Sequence, residues 1–199
     1  MPSPIILASG SEIRHRLLIA ANVKHTVTNA RVDEAAIRTS MQQQRAKARD
    51  IADALAEAKA RKVSSKTAGA IVIGADQVLE LDRQIMVKPE NKDQALDQLY
   101  ALAGRTHKLF SAVVIYQDGY PKWRFVGAVS LTMHTSSDKY LSDYVERNWH
   151  SIQHSVGCYK LEEEGARLFS KVQGDFFTVL GLPMFELLSY LKETKELPG

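Results

Sequence analysis

An α/β fold, with a mixed sheet flanked by helices, is the architecture this sequence predicts. Two runs, Ile5-Ile6-Leu7-Ala8 and Ala70-Ile71-Val72-Ile73, carry no charge and read as strands buried on both faces. Alanine- and leucine-rich stretches with helical spacing lie between and beyond them. Turn signals at Asp82-Arg83 and Asp118-Gly119 join strand candidates into hairpins, which an all-parallel sheet would lack.

Each element has its own signal. Ser11 opens a helix to Ala21 that carries Ile13, Leu17, Leu18 and Ala21 on one side. Lys24 to Thr28 reads as a short strand, and Val32-Asp33-Glu34 as a polar connection. Gln43 to Lys62 is alanine-rich and reads as one long helix. The strand that begins at Ala70 continues through Val78-Leu79-Glu80-Leu81, turns at Asp82-Arg83 and returns through Ile85-Met86-Val87. Asn91 with Gln94 resembles a helix cap, and Ala95, Leu96, Leu99, Leu102 and Ala103 form an apolar stripe ending at Gly104. Leu109 to Tyr116 pairs across Asp118-Gly119 with a strand that includes Phe125, Val129, Leu131 and Met133. Asp138 to Glu146 follows as a helix, with Tyr140, Leu141, Tyr144 and Val145 turned inward. The tail reads as strand Val156 to Tyr159, an acidic loop Glu162-Glu163-Glu164-Gly165, strand Phe176 to Leu180, and a last helix opened by Pro183.

No linker, repeat or low-complexity block interrupts the 199 residues, so one domain over 1–199 is expected. The chain is 45% hydrophobic and 25% charged, with a net charge of +3, typical of a globular protein with a sizeable core. Its basic residues are scattered, and the densest run, Arg45 to Lys66, is interleaved with Asp50, Asp53 and Glu57. That pattern argues against a stable nucleic-acid complex. Cys158 is the only cysteine, which excludes an internal disulfide and a thiolate zinc site. It reads as a core thiol rather than a nucleophile. Met1-Pro2-Ser3-Pro4 lacks a basic leader region, and no apolar stretch approaches membrane-spanning length, so a cytoplasmic protein without a membrane partner is expected.

Chemistry gathers at two strand ends. Ser9-Gly10-Ser11 separates a buried strand from a helix start, a place that offers backbone N–H groups, hydroxyls and the positive end of a helix dipole to an anion. Arg14, in the first turn, could fork onto phosphate oxygens. Neither of the common glycine-rich phosphate motifs is present. His15 reads as a surface side chain. The apolar run ends on Asp76, at the rim where open α/β sheets bind ligands, and the alternative is a plain turn cap. Lys59 continues the stripe of Ile51 and Leu55, and reads either as a lysine snorkelling at the edge or as part of a site. Lys88 before Pro89 ends the strand returning from Asp76. Glu34 beside Asp33 could complete a two-carboxylate site for a hard divalent cation, or be solvated.

Taken together, these residues resemble the Maf family of nucleotide pyrophosphatases. The resemblance spans nearly the whole chain. It rests on Leu7-Ala8-Ser9-Gly10-Ser11 with Arg14, Val32-Asp33-Glu34, Glu57-Ala58-Lys59-Ala60, Gly74-Ala75-Asp76-Gln77-Val78, Lys88-Pro89, Gly104-Arg105-Thr106-His107 and Gly181-Leu182-Pro183. It implies a strongly twisted mixed sheet with two lobes around a central cleft, related to the inosine triphosphate pyrophosphatases. It also implies hydrolysis of a nucleoside triphosphate to the monophosphate and pyrophosphate with Mg²⁺ or Mn²⁺, serving to clean the nucleotide pool, and a homodimer as the candidate assembly. One departure stands out: Glu12 occupies the place where the family loop usually has proline, and Ile13-Arg14-His15 replaces a basic pair.

By that resemblance Asp76 is the general base, Glu34 and Asp76 hold the metal, and Ser9, Arg14, Lys59 and Lys88 hold phosphate oxygens. Ser11 belongs to the same binding loop. Ile13, Gln77 and Glu162 correspond to the positions tied to base choice, and Gln77 and Glu162 follow a 7-methylguanosine-directed branch. A carboxylate at 162 can accept from guanine N1–H and the exocyclic amine, and favours a positively charged methylated ring. The alternatives are a dTTP/UTP pyrophosphatase of the same family and a nucleotide-binding regulator without turnover.

Overall fold

The computed structural model describes residues 3–197, so Met1-Pro2 and Pro198-Gly199, the ends of the single-domain expectation, lie outside it. It contains a seven-stranded mixed sheet and flanking helices. The strands are β1 (Ile5–Leu7), β2 (Thr26–Val27), β3 (Ile71–Leu81), β4 (Gln84–Met86), β5 (Thr106–Gln117), β6 (Tyr120–Met133) and β7 (Phe169–Gln173). Their order is β2-β1-β3-β5-β6-β7, with β4 pairing β3 from the side. β1 runs parallel to β2 and β3, whereas β3/β4 and β6/β7 are antiparallel.

The chain divides into two compact units. The first comprises the chain up to Gln77, Ser111–Gly127, and the chain from Gly181 onward. It holds α1 (Glu12–Ala20), α2 (Glu34–Gln43), α3 (Ala48–Ser64) and α7 (Met184–Glu193). Its core is built from the alternation-free apolar runs. Leu7, Val72 and Ile73 are fully buried, as are Ile51 and Leu55 from the inward stripe of α3 and Leu187 and Leu191 from α7. The second unit comprises Val78–Phe110 and Ala128–Leu180. It holds α4 (Lys92–Leu102), α5 (Asp138–Ile152) and α6 (Phe176–Val179). Leu79, Leu99, Leu102, Leu131, Leu141, Tyr144 and Leu168 form its core.

Local chemistry explains the starts of the helices. The side chains of Asp33, Asn91, Ser137 and Asp175 each accept a bond from a backbone N–H in the first turn of the helix that follows. Pro183 precedes α7, where a missing N–H costs nothing.

The structure corrects the sequence reading in five places. The expected helix Gln43–Lys62 begins later, as α3 at Ala48, after a turn in which Arg45 adopts φ 56°, and a separate helix, α2, precedes it. Asp33 is therefore a helix cap and Glu34 a first-turn residue, not members of a polar connection. The expected strand Lys24–Thr28 shrinks to Thr26–Val27. The expected strand at Val156–Tyr159 is a 3₁₀ turn, Val156–Cys158, because Gly157 at φ 75° and Cys158 at φ 59° cannot extend. Phe176–Val179 is a helical turn capped by Asp175, and the strand belongs instead at Phe169–Gln173. No helix among the described residues is long and apolar enough to cross a membrane.

Candidate active site

Two loops and three helices of the first unit converge on the C-terminal end of β1 and its parallel neighbour β3. The register of β1 on β3 closes at Leu7 and Ile73, and Ala8 N–H still donates to Ile73 O at 2.8 Å. Past that point β1 turns away through Ser9-Gly10-Ser11 into α1, while β3 runs on as a strand to Leu81. Asp76 thus lies inside β3, three residues beyond its last partner on β1, rather than at a strand terminus.

The approach of α3 to β3 is what brings a lysine to this acid. Gly74 lies against the helix backbone: a Cβ there would stand 2.2 Å from Ala56 O and 2.7 Å from Ala60 N. The alanines of α3 and the missing side chain at 74 let helix and strand meet at backbone distance. Lys59, between Ala56 and Ala60, reaches Asp76 Oδ1 at 2.5 Å and Glu34 Oε1 at 2.8 Å from one ammonium nitrogen. The Lys59 and Asp76 side chains are each 10% exposed, and Glu34, at 44%, stands on the solvent side. Lys59 is therefore not a snorkelling residue, since its buried ammonium ends on the buried carboxylate of Asp76 and is capped from the solvent side by Glu34.

Arg14 is buried and ties three backbone segments together. Its Nε donates to Gly181 O at 2.8 Å, and one Nη donates to Ala75 O at 2.9 Å and Ser9 Oγ at 3.0 Å. Burial lowers the guanidinium pKa, and the charges of Asp76 and Glu34 pull it back up. In this arrangement Arg14 holds the residue before Asp76 and the anion-loop serine, and those donors are taken up by protein. Ser9 Oγ also accepts from Ser11 N–H at 3.3 Å. Ser11 stands at the N-cap of α1, but its hydroxyl makes no cap bond.

Other sequence-derived candidates fall elsewhere. Ile13 is half-buried on α1. Gln77 follows Asp76 on β3, so strand alternation turns it to the opposite face, where its amide donates to Ser111 Oγ at 2.9 Å. His15 hydrogen-bonds through Nδ1 to His25 Nε2 at 2.8 Å. Lys88 and Glu162 belong to the second unit, and both are exposed. Glu162 differs from its neighbours: Glu163 pairs with Lys160 and Ser151, and Glu164 with Arg147 and Asn148, whereas Glu162 has no such partner among the described residues. The Gly181 carbonyl that anchors Arg14 is a functional group the sequence reading misses, although Gly181-Leu182-Pro183 is among the motifs that carry the family resemblance.

Fold and cluster together define a class: an α/β protein with strand- and helix-borne acids and cations at the rim where ligands of parallel strands bind. The family within that class follows from comparison. The Maf-like protein family matches residues 4–194, and this chain belongs to it. A nucleoside triphosphate pyrophosphatase of Roseobacter denitrificans is 57% identical over 198 residues, covering 100% of both chains. One of Ruegeria sp. (strain TM1040) is 57% identical over 191 residues, covering 96% of each. A 7-methyl-GTP pyrophosphatase of Brucella abortus is 39% identical over 199 residues, covering 100% of both.

Proposed function

We propose that this chain is a nucleoside triphosphate pyrophosphatase that releases the monophosphate and pyrophosphate, with its chemistry at Asp76. The observation that carries the reading is the shared ammonium of Lys59 between two carboxylates at a ligand-binding rim, in a chain related end to end to proteins named for this activity. Lys59 occupies Asp76 Oδ1 and fixes the carboxylate's orientation, so Oδ2 is the oxygen that takes the proton from an attacking water. The water oxygen bonds to the α-phosphorus, the α–β anhydride bond breaks, and pyrophosphate leaves with the electron pair. Ser9, Ser11 and the free amides of the α1 N-terminus face the phosphates, and Arg14 keeps Ser9 and the strand before Asp76 in register. For Lys88 the family resemblance alone supports a role toward phosphate.

Two carboxylates suit a hard divalent cation. Among the described residues no group of three or more His, Cys, Asp or Glu could hold a metal unaided. Mg²⁺ or Mn²⁺ held by Glu34 and Asp76 would therefore need substrate oxygens and water to complete its shell, as Mg²⁺ commonly does. The charges agree: Asp76 and Glu34 already match Lys59 and Arg14, so the cluster has no excess positive charge for a triphosphate. When bound, the metal would supply that charge and polarise the phosphate oxygens.

Glu162 is the residue we assign to base choice; for Ile13, and for Gln77 on the other face of β3 from Asp76, the family resemblance alone supports such a role. The absence of an internal partner for Glu162, unlike Glu163 and Glu164, supports this assignment. A 7-methylated purine nucleotide in the cytoplasm is the substrate we favour, and a homodimer the assembly. The test measures pyrophosphate and orthophosphate release from 7-methyl-GTP, GTP, dTTP and UTP, with and without chelator. Pyrophosphate release that stops with chelator and returns with Mg²⁺ or Mn²⁺ is the expected outcome. Nucleotide binding without turnover would favour the regulator instead, and a preference for dTTP or UTP would overturn the base assignment alone.

A further inference from the structure

The first unit has a second concavity, on the outer face formed by β6 and α7, whose chemistry the pyrophosphatase reading does not use. It measures about 360 Å³. Strand alternation sets Trp123 and Phe125 on one face of β6, and helical spacing sets Glu186, Ser189, Tyr190 and Glu193 on the facing side of α7. Of the four rings that line it, those of Trp123, Phe125 and Tyr190 are nearly parallel, and Phe185 stands exposed beside them. Trp123 lies 5.1 Å from Tyr190 at 19°, and 6.4 Å from Phe125 at 11°.

Aromatic stacking could serve only to fasten α7 to β6, but the carboxylates argue for more. Glu186 Oε2 is buried and has no hydrogen-bond donor. Neither Glu186 nor Glu193 has an ion-pair partner among the described residues, and no lysine, arginine or histidine lines the concavity. A carboxylate partly stripped of water and of donors attracts a cation more strongly than a solvated one. Parallel rings suit a flat cation that stacks, rather than a spherical ammonium that needs a cage of differently turned rings.

We propose that this concavity is a binding site for a guanidinium group, which would stack on Trp123 and Tyr190 and donate to Glu186, with Glu193 adding charge at the rim. The guanidinium could be carried by a free small molecule or by an arginine of a second copy of this chain. The chemistry is the same for either.

The chain has two tryptophans, so Trp149→Phe leaves Trp123 as the sole indole reporter. In that background, Nα-acetyl-arginine amide should change the fluorescence saturably, and its isosteric neutral citrulline counterpart should not. Glu186→Gln, which preserves shape, should weaken the response by about tenfold or more. Sedimentation of the protein alone distinguishes the sources. A monomer points to a free ligand; a dimer dispersed by Glu186→Gln and by added arginine amide points to an arginine of the second copy. Equal binding of the citrulline amide, tighter binding of tetramethylammonium, or an unchanged response in Glu186→Gln would each overturn the proposal. None of these readouts depends on nucleotide turnover, so they stand or fall apart from the pyrophosphatase reading.

Discussion

Lys59 and Asp76 in the first unit are 8% and 7% exposed, and His107 and Tyr159 in the second are 1% and 5% exposed, yet the two pairs meet burial in opposite ways. Lys59 and Asp76 face each other as an ion pair, with Glu34 on the same ammonium and Arg14 close by. His107 Nε2 meets the Tyr159 hydroxyl at 2.7 Å, and removal from water is what shifts the histidine. Burial therefore pushes His107 down to about 4 and the Cys158 thiol up to about 12, and raises Tyr159 as well. Strong burial of ionisable groups does not by itself mark a site. What separates the two regions is convergence of opposite charges at a ligand rim, against neutral groups packed into a core.

The largest effect expected from breaking the contrast is on turnover. Asp76→Asn keeps the shape and a contact to Lys59 but removes the base, so pyrophosphate release should fall roughly 10²–10⁴-fold while nucleotide still binds. Retention of more than half the activity would return Asp76 to a structural role. Next comes Lys59→Met, which leaves Asp76 and Glu34 together without their shared cation. Loss of one partner from a buried pair costs about 3–5 kcal/mol, to be read from denaturant melts, and Glu34's exposure keeps the expectation toward the lower figure. A melt indistinguishable from wild type would mean that the pair contributes nothing to the fold.

The smallest effect sharpens the second region. His107 is neutral in the fold down to about 4, whereas the unfolded chain takes a proton near 6.5. The unfolded state then binds more protons between those values, so stability is full above about 6.5 and declines as pH falls toward 4. The loss reaches ~3 kcal/mol if the whole shift is expressed. Chemical melts at about pH 7 and about pH 4.5 should differ by less in His107→Gln than in wild type. An unchanged difference would move the acid sensitivity to other groups.

The sequence made much of the sheet and of the site's composition legible, for identifiable reasons. Uncharged runs rich in β-branched residues favour buried strands, so β1 and β3 were plain, and Asn91 with Gln94 announced α4 through its cap. Short apolar stretches were not: Phe176–Val179 carries no period long enough to separate strand from helix, and only the Asp175 cap decides. Left-handed backbone at Arg45, Gly157 and Cys158 left little trace in composition; it delays the start of one expected helix to Ala48 and replaces one expected strand with a turn. In the site, Asp76, Glu34 and Lys59 could be chosen by residue type and spacing. Arg14's commitment to the Gly181 carbonyl joins segments 167 residues apart, and no local pattern encodes such a bond.

Gly74 bears on how firmly the Lys59–Asp76 spacing is held. Helices usually rest on sheets through two layers of side chains, which act as a cushion because rotamers absorb small displacements. Here the backbone of α3 near Ala56 and Ala60 sits directly on β3, with no room even for a methyl group. Atoms in such contact meet the steep repulsive wall of the van der Waals potential. The gap between the two backbones thus behaves as a rigid stop. Hydrostatic compression or the hopping of neighbouring side chains would disturb softer layers of the core first, so the spacing of the two backbones that carry Lys59 and Asp76 is gauged by the polypeptide skeleton itself.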